Sequence, residues 1–159
     1  EMCIRDRNKI KCKKKISDYF ISKYFLPDIQ IRLTKKLSKF ANSSIDISDG
    51  LISDLEKMLN NQNYSFLINL DQIPVSKYLL DLIKDRGFDK KHFISNGDDY
   101  QVLFTGNVNK SRIIHKTFKT LGIKITKIGK IISGKNKSTI IDQKGKKILL
   151  KYKGYTHQF

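Results

Sequence analysis

The chain has 159 residues, of which 39% are hydrophobic, so it can bury one core of the size found in a soluble globular domain. Its apolar runs are only a few residues long, far short of the roughly 20 that span a bilayer. Cys3 and Cys12 are too few for a disulfide framework or a zinc site. We therefore expect a cytoplasmic protein that does not enter a membrane.

The formal net charge of +17 is distributed unevenly along the sequence. Residues 41–105 carry ten acidic and six basic side chains, for a net charge of −4, whereas both flanking segments are strongly basic. For the flanks, a solvated basic surface, attraction of phosphorylated small molecules and nucleic-acid binding all remain open. Their lysines lack the interleaved aromatic residues of a base-stacking surface, so nucleic acid is the least favoured partner. The acidic middle indicates bound cations.

The first forty residues are predicted to contain two helices, one on each side of Pro27. Residues 1–15 lack an apolar period, and we expect them to be a disordered or non-native start. Ile16, Phe20 and Tyr24 then share one face of a helix that ends before Pro27. Pro27 opens a second helical stretch over residues 27–40.

From residue 45 onward, the pattern alternates between strands and helices. Strands are predicted at residues 45–47, 64–70, 100–105, 123–132, 138–142 and 147–152, and helices at residues 51–59, 76–85 and 110–121. Gly134 and Gly145 mark turns between the last strands. This order predicts an α+β fold with a mixed β-sheet flanked by helices.

The first motif that suggests chemistry is Asp-Ile-Ser-Asp-Gly at residues 46–50, where a strand meets a helix. Asp46, Asp49 and the Ser48 hydroxyl offer hard oxygen ligands, which suit Mg²⁺, and Gly50 permits a tight turn. The same residues also fit a helix cap, in which Ser48 or Asp49 accepts backbone N–H bonds at the start of the helix. The spacing alone leaves both interpretations open.

The second motif is Asn-Gly-Asp-Asp-Tyr at residues 96–100, directly before an apolar strand. Asp98 and Asp99 add two more carboxylates to the acidic middle, which indicates bound cations. Adjacent acids after Gly97 also fit a plain type I turn. On its own this motif is weak.

Taken together and in this order, the motifs resemble the thiamine-monophosphate kinases, which share a superfamily with aminoimidazole ribonucleotide synthetase and selenophosphate synthetase. Further matching segments are Asp54-Leu55, Ile73-Pro74, residues 96–105, Ile128-Gly129-Lys130 and the Gly-Tyr-Thr-His tail at residues 154–157. The resemblance covers about residues 24–159 and is to the C-terminal half of the family. It implies a C-terminal kinase domain at residues 27–159 and an inter-domain helix remnant at residues 16–26.

The resemblance also implies an activity and a set of site residues. The enzyme would transfer the γ-phosphoryl group of ATP to thiamine monophosphate, giving thiamine diphosphate. Asp46 and Asp49 would hold Mg²⁺, Ser48 would contact ATP, and Asp98 and Tyr155 would contact thiamine monophosphate. The family's N-terminal ATP and metal domain is not matched, so this chain would be inactive alone, and the full-length enzyme would be a homodimer.

The chain departs from the family pattern in the second motif, where Asn96 replaces a usual Gly and Asp98 replaces the commoner Glu. The shorter Asp98 side chain makes its substrate contact the least secure of the transferred roles. Two alternatives therefore stay open. The chain could belong to another ATP-using enzyme of the same superfamily, or it could be a basic RNA-binding domain whose affinity falls steeply with salt.

Overall fold

The computed structural model describes residues 12–59, 62–134 and 136–150. Within them the helices are α1 (Lys14–Phe25), α2 (Ile31–Leu37), α3 (Leu51–Leu59), α4 (Lys77–Arg86) and α5 (Ser111–Leu121). The strands are β1 (Ala41–Asp46), β2 (Tyr64–Asn69), β3 (Val102–Gly106), β4 (Gly129–Ser133), β5 (Thr139–Ile141) and β6 (Lys147–Ile148). The predicted α+β order is therefore confirmed, including each of the five helices.

The strands divide into two sheets. Strands β1 and β3 form an antiparallel pair in which Asp46 lies opposite Val102. The other four strands have the order β4-β2-β5-β6, and this sheet is mixed, because β2 pairs antiparallel with β4 and parallel with β5. The acidic end of β1 thus belongs to a narrow ribbon that is separate from the larger sheet.

Three groups of buried side chains hold these layers together. One lies between α3 and the four-stranded sheet and includes Leu55, Phe66 and Ile68. A second joins α1 to α4 through Phe20 and Leu79. The third lies between α2, α5 and the two-stranded ribbon, with members Leu33, Leu37, Phe40, Ile114 and Phe118. The helix predicted as an inter-domain remnant is therefore packed against α4, and its assignment to an inter-domain region stays a prediction.

Several predicted boundaries differ from the structure. The strand predicted at residues 45–47 begins already at Ala41, and the one predicted at residues 147–152 is described only at Lys147–Ile148. The second helix begins at Ile31 and not at Pro27, because the backbone between them makes short-range bonds, from Ile29 N to Pro27 O and from Ile31 N to Ile29 O. The strand predicted at residues 123–132 begins only at Gly129. Residues 123–128 form no strand and connect two of the buried groups. Ile125 packs against the group that contains Phe118, and Ile128 packs against the group between α3 and the larger sheet.

Residues 1–11 and 151–159 lie outside the described ranges, and with them the predicted start segment and the tail motif that contains Tyr155. No helix in the described part of the chain is both long and apolar enough to cross a membrane.

Candidate functional site

The two acidic motifs, fifty residues apart in sequence, lie against each other in the structure. We call residues 46–50 the first acidic loop and residues 95–101 the second acidic loop. Beyond the β1–β3 ladder, Ile47 N donates to Gln101 O and Tyr100 N donates to Ile47 O, both at 2.9 Å. Asp98 N donates to Ser48 O at 2.9 Å. The ribbon therefore continues irregularly through both loops and fixes their backbones together.

Two glycines allow this close approach. A Cβ at Gly97 would lie 1.9 Å from the Ser48 carbonyl oxygen, a distance that no side chain can tolerate. Gly50 has φ +120°, and a Cβ there would lie 2.7 Å from the Ser95 carbonyl oxygen. Each loop therefore carries a glycine where the other loop's backbone passes.

The second acidic loop also holds two non-glycine residues in the left-handed region, Asp98 with φ 64° and Tyr100 with φ 51°. Such conformations cost of order 1–3 kcal/mol each and concentrate at functional sites, because neighbouring structure must enforce them. Here the enforcing contacts are the hydrogen bonds from Asp98 N and Tyr100 N to the first loop. The plain type I turn considered for Asp98 and Asp99 does not form, since it needs negative φ at both central positions.

Asp54, in the first turn of α3, organises the first acidic loop. Its side chain is only 1% exposed, and its Oδ2 accepts the backbone N–H groups of Ser48, Asp49 and Gly50 at 2.9, 3.0 and 3.2 Å. Three N–H bonds of this kind offset the cost of burying a carboxylate. The first acidic loop is thus wrapped around an internal negative charge.

This arrangement decides what the loop can present to a ligand. Glycine turns before helices often bind phosphate through their free N–H groups. Here the N–H groups of residues 48–50 bond to Asp54, and Leu51 N, the first of α3, donates to Ile94 O at 3.2 Å. What the loop offers a ligand is therefore carboxylate and hydroxyl oxygen, which suits a cation better than an anion.

Lys57 bridges Asp49, inside the first acidic loop, and Asp54, on α3. Its Nζ lies 3.1 Å from Asp54 Oδ1, three residues earlier on α3, and it also forms an ion pair with Asp49 Oδ2. The hydrogen bond to Asp49 raises the pKa of Lys57 above its usual value, although partial burial acts in the opposite direction. The lysine therefore remains an ammonium ion, half exposed, directly beside Asp49.

Four of the site residues predicted from the sequence lie at the junction of the two acidic loops. Asp46 is exposed at the end of β1, and Ser48, Asp49 and Asp98 are partly buried where the loops meet. The described residues contain no group of three or more His, Cys, Asp or Glu side chains arranged to hold a metal ion by themselves. The assignments to Mg²⁺, ATP and substrate thus stay predictions, and that of Tyr155 falls on a residue outside the described part.

Sequence reasoning gave no role to Asp54 or Lys57, although one signal was available. Leu51, Asp54 and Leu55 recur at the spacing of one helical face, and all three are buried. An acidic residue on the apolar face of a helix needs hydrogen-bond donors or a counter-ion. The pattern could therefore have indicated a buried carboxylate that organises its surroundings.

Comparison with known proteins identifies the relationship. No family model matches the chain. A thiamine-monophosphate kinase from Buchnera aphidicola subsp. Acyrthosiphon pisum is 36% identical over 145 residues, which cover 89% of this chain and 43% of that protein. The chain corresponds to the C-terminal half of thiamine-monophosphate kinase. It thus spans less than half the length of the curated relatives it matches.

Solved structures agree on the fold. Thiamine-monophosphate kinase from Stenotrophomonas maltophilia K279a superposes with a TM-score of 0.73 at 23% identity, covering 86% of this chain and 44% of that one. A structure described as AaThiL complexed with AMPPCP and TMP gives a TM-score of 0.72 at 24% identity, covering 95% and 45%. The α+β fold predicted from the order of strands and helices is therefore confirmed.

Proposed function

We propose that this chain carries one half of a phosphoryl-transfer site that makes thiamine diphosphate from thiamine monophosphate and ATP. The observation that carries the proposal is the joining of the two acidic loops by backbone bonds, with glycines at both points of contact. Relatives that match about nine tenths of the chain are thiamine-monophosphate kinases. A related fold is known in complex with AMPPCP and TMP.

We assign Mg²⁺ to Asp46 and Asp49. Magnesium ions in phosphoryl-transfer sites typically take one or two carboxylates and complete their shell with water and substrate phosphate oxygens. The first acidic loop fits this pattern, since its N–H groups are occupied by Asp54, Asp46 is exposed, and Asp49 is partly buried with a half-exposed lysine as its present partner. When bound, the metal would neutralise the charge between two anionic phosphates.

The reaction places few demands on the protein beyond position and charge. The acceptor in thiamine monophosphate is a phosphate monoester with a second pKa near 6, so its oxygen is already ionised at neutral pH and needs no general base. Neither acidic loop contains a His or Cys that could serve as one. In the proposed site Ser48 contacts ATP, Asp98 contacts thiamine monophosphate and Tyr155 packs on its thiamine end.

The remaining parts of the site belong to the portion of the relatives that this chain does not match. We propose that the complete enzyme is a homodimer that acts in the cytoplasm, with further nucleotide and metal ligands supplied by an N-terminal half. Two carboxylates from one half cannot by themselves align ATP with an acceptor. We expect the chain alone to be inactive.

The test is product formation by a chimera that joins this chain to the N-terminal half of the Buchnera enzyme. We expect it to form thiamine diphosphate from ATP and thiamine monophosphate, while the chain alone forms none. ATP turnover by the chimera without thiamine monophosphate as acceptor would favour another enzyme of the superfamily. Salt-sensitive RNA binding that ignores an Asp46→Asn change would favour the basic RNA-binding alternative.

A further inference from the structure

Lys57 and Asp54 form a charge arrangement that the proposed chemistry does not use. Asp54 lies at the centre, with Oδ2 bonded to three backbone N–H groups and Oδ1 facing the Lys57 ammonium. Its side chain is buried and all of these bonds are internal. Asp54 is therefore held too firmly to turn toward a ligand, and it acts by positioning the residues around it.

The Lys57 ammonium lies directly against Asp49, the residue assigned to Mg²⁺. A single positive charge thus shields the carboxylate that a divalent cation would have to bind, and it occupies lone pairs of Oδ2. The Lys57 side chain is 48% exposed, so it can swing into solvent when a stronger cation arrives. Asp54 cannot move in the same way, because its side chain is 1% exposed.

We propose that Lys57 is a built-in counter-ion that exchanges with the divalent cation at Asp49, while Asp54 fixes the loop in place throughout. This inference rests on the proposed function, because it takes Asp49 as a metal ligand. Without metal, the ammonium keeps the acidic loops from repelling one another. With metal, it leaves Asp49, and the exchange sets how much Mg²⁺ the site requires.

The exchange makes a prediction for the 159-residue chain that does not depend on enzymatic activity. Melting temperature is measured against Mg²⁺ concentration for the wild type and for Lys57→Met. Without Mg²⁺ the variant should melt below the wild type, because Asp49 loses its counter-ion. As Mg²⁺ rises, the gap should narrow to what the lost bond from Lys57 to Asp54 contributes, and the Mg²⁺ midpoint, defined as the dissociation constant fitted to the rise in melting temperature, should be about fivefold lower for the variant, the upper range for a partly exposed ion pair.

Two further variants separate exchange from simple loss of an ion pair. Lys91→Met is the matched control, because Lys91 is a similarly exposed lysine that pairs at 2.9 Å with Asp89, a carboxylate that belongs to neither acidic loop. It should leave the Mg²⁺ midpoint unchanged. Lys57→Arg keeps the charge and can hold a carboxylate with two parallel bonds, so it should need at least as much Mg²⁺ as the wild type.

The possible outcomes are distinct. An unchanged Mg²⁺ midpoint in Lys57→Met, with a melting temperature lowered equally at all Mg²⁺ concentrations, overturns the exchange and leaves only a structural ion pair. A wild-type chain and an Asp49→Asn variant that respond to Mg²⁺ equally overturn the assignment of Asp49, and the exchange with it. Should Lys57→Met not fold, a Lys57→Arg midpoint clearly below that of the wild type overturns the proposal in the same way.

Discussion

Two charged regions of this protein are built in opposite ways. The acidic loops, residues 46–50 and 95–101, are joined by backbone bonds, contain strained residues and enclose the buried carboxylate of Asp54. The basic lobe, which we define as α2, α5 and the β1–β3 ribbon, has an ordinary apolar core. Its helices carry exposed Arg and Lys side chains, none of which forms an ion pair with any residue the structure describes.

The difference shows that the sign and amount of charge do not locate the site. At the first acidic loop, Asp49 pairs with Lys57, and the buried carboxylate of Asp54 accepts bonds from three backbone N–H groups, so the positions of these two charges are fixed by the fold. In the basic lobe the charges extend into solvent, where they are screened and exchangeable. In a chain of net charge +17, the candidate site can therefore lie among the less numerous acidic residues.

Removing an aromatic ring from the basic lobe should give the largest loss of stability. Phe118 is 4% exposed and stacks on Phe104 with ring centroids 5.8 Å apart. Phe118→Ala should lower the free energy of unfolding by about 3–5 kcal/mol, as for other large core truncations. Urea denaturation measures this, with Ile113→Ala as control, since Ile113 is 42% exposed on the same helix. Equal losses in both variants would contradict the assigned core.

Separating the two acidic loops should be the next largest effect. Gly97→Ala places a methyl group against the Ser48 carbonyl, so the backbones must move apart at a cost of about 1–3 kcal/mol or more. Gly106→Ala is the control, because its nearest contact is at 3.2 Å with the flexible end of Ile114. We expect Gly97→Ala alone to abolish product formation by the chimera. Wild-type stability and activity in that variant would mean that the loops do not meet as described.

Neutralising Asp54 should weaken the first acidic loop without changing its shape. The amide oxygen of Asp54→Asn can still accept the three backbone N–H bonds, but these bonds lose their charge and the pairing with Lys57 is lost, for an expected cost of about 1.5–3 kcal/mol. The matched control is Asp142→Asn, since Asp142 also accepts backbone N–H bonds, from Lys144 and Lys146, but in an exposed turn. Thermal unfolding of both variants compares them, and a larger effect at Asp142 would contradict the role of Asp54.

Reversing a charge on the basic lobe should have the smallest effect. Lys116 is exposed on α5, and the structure pairs it with no carboxylate among the described residues. Lys116→Glu should change the free energy of unfolding by no more than about 0.5 kcal/mol, and it should leave the KM values of the chimera near those of the wild type. A large rise in a KM would show that the lobe recruits the phosphorylated substrates after all.

The sequence allowed the helices and the order of strands to be predicted, because most of them have a clear apolar period. The start of β1 was missed, since residues 42–44 are all polar. The start of β4 could not be predicted. Residues 123–128 alternate apolar and polar side chains like a strand, but their apolar side chains pack against two different buried groups and pair with no neighbouring strand. The family resemblance implied ligand-binding roles for residues of both acidic loops, but the hydrogen bonds that join the loops were not predicted. Lys57 was missed because its role depends on a partner eight residues away, outside any helical spacing.

The central claim is that the acidic loops carry the chemistry, and one pair of substitutions tests it directly. Thiamine diphosphate formation is measured at saturating ATP and thiamine monophosphate for chimeras with Asp49→Asn and with Asp85→Asn. Asp85 is an exposed acid on α4, away from the loops. The account predicts a loss of orders of magnitude for Asp49→Asn and unchanged turnover for Asp85→Asn. Wild-type turnover by Asp49→Asn at ordinary Mg²⁺ concentrations would contradict it.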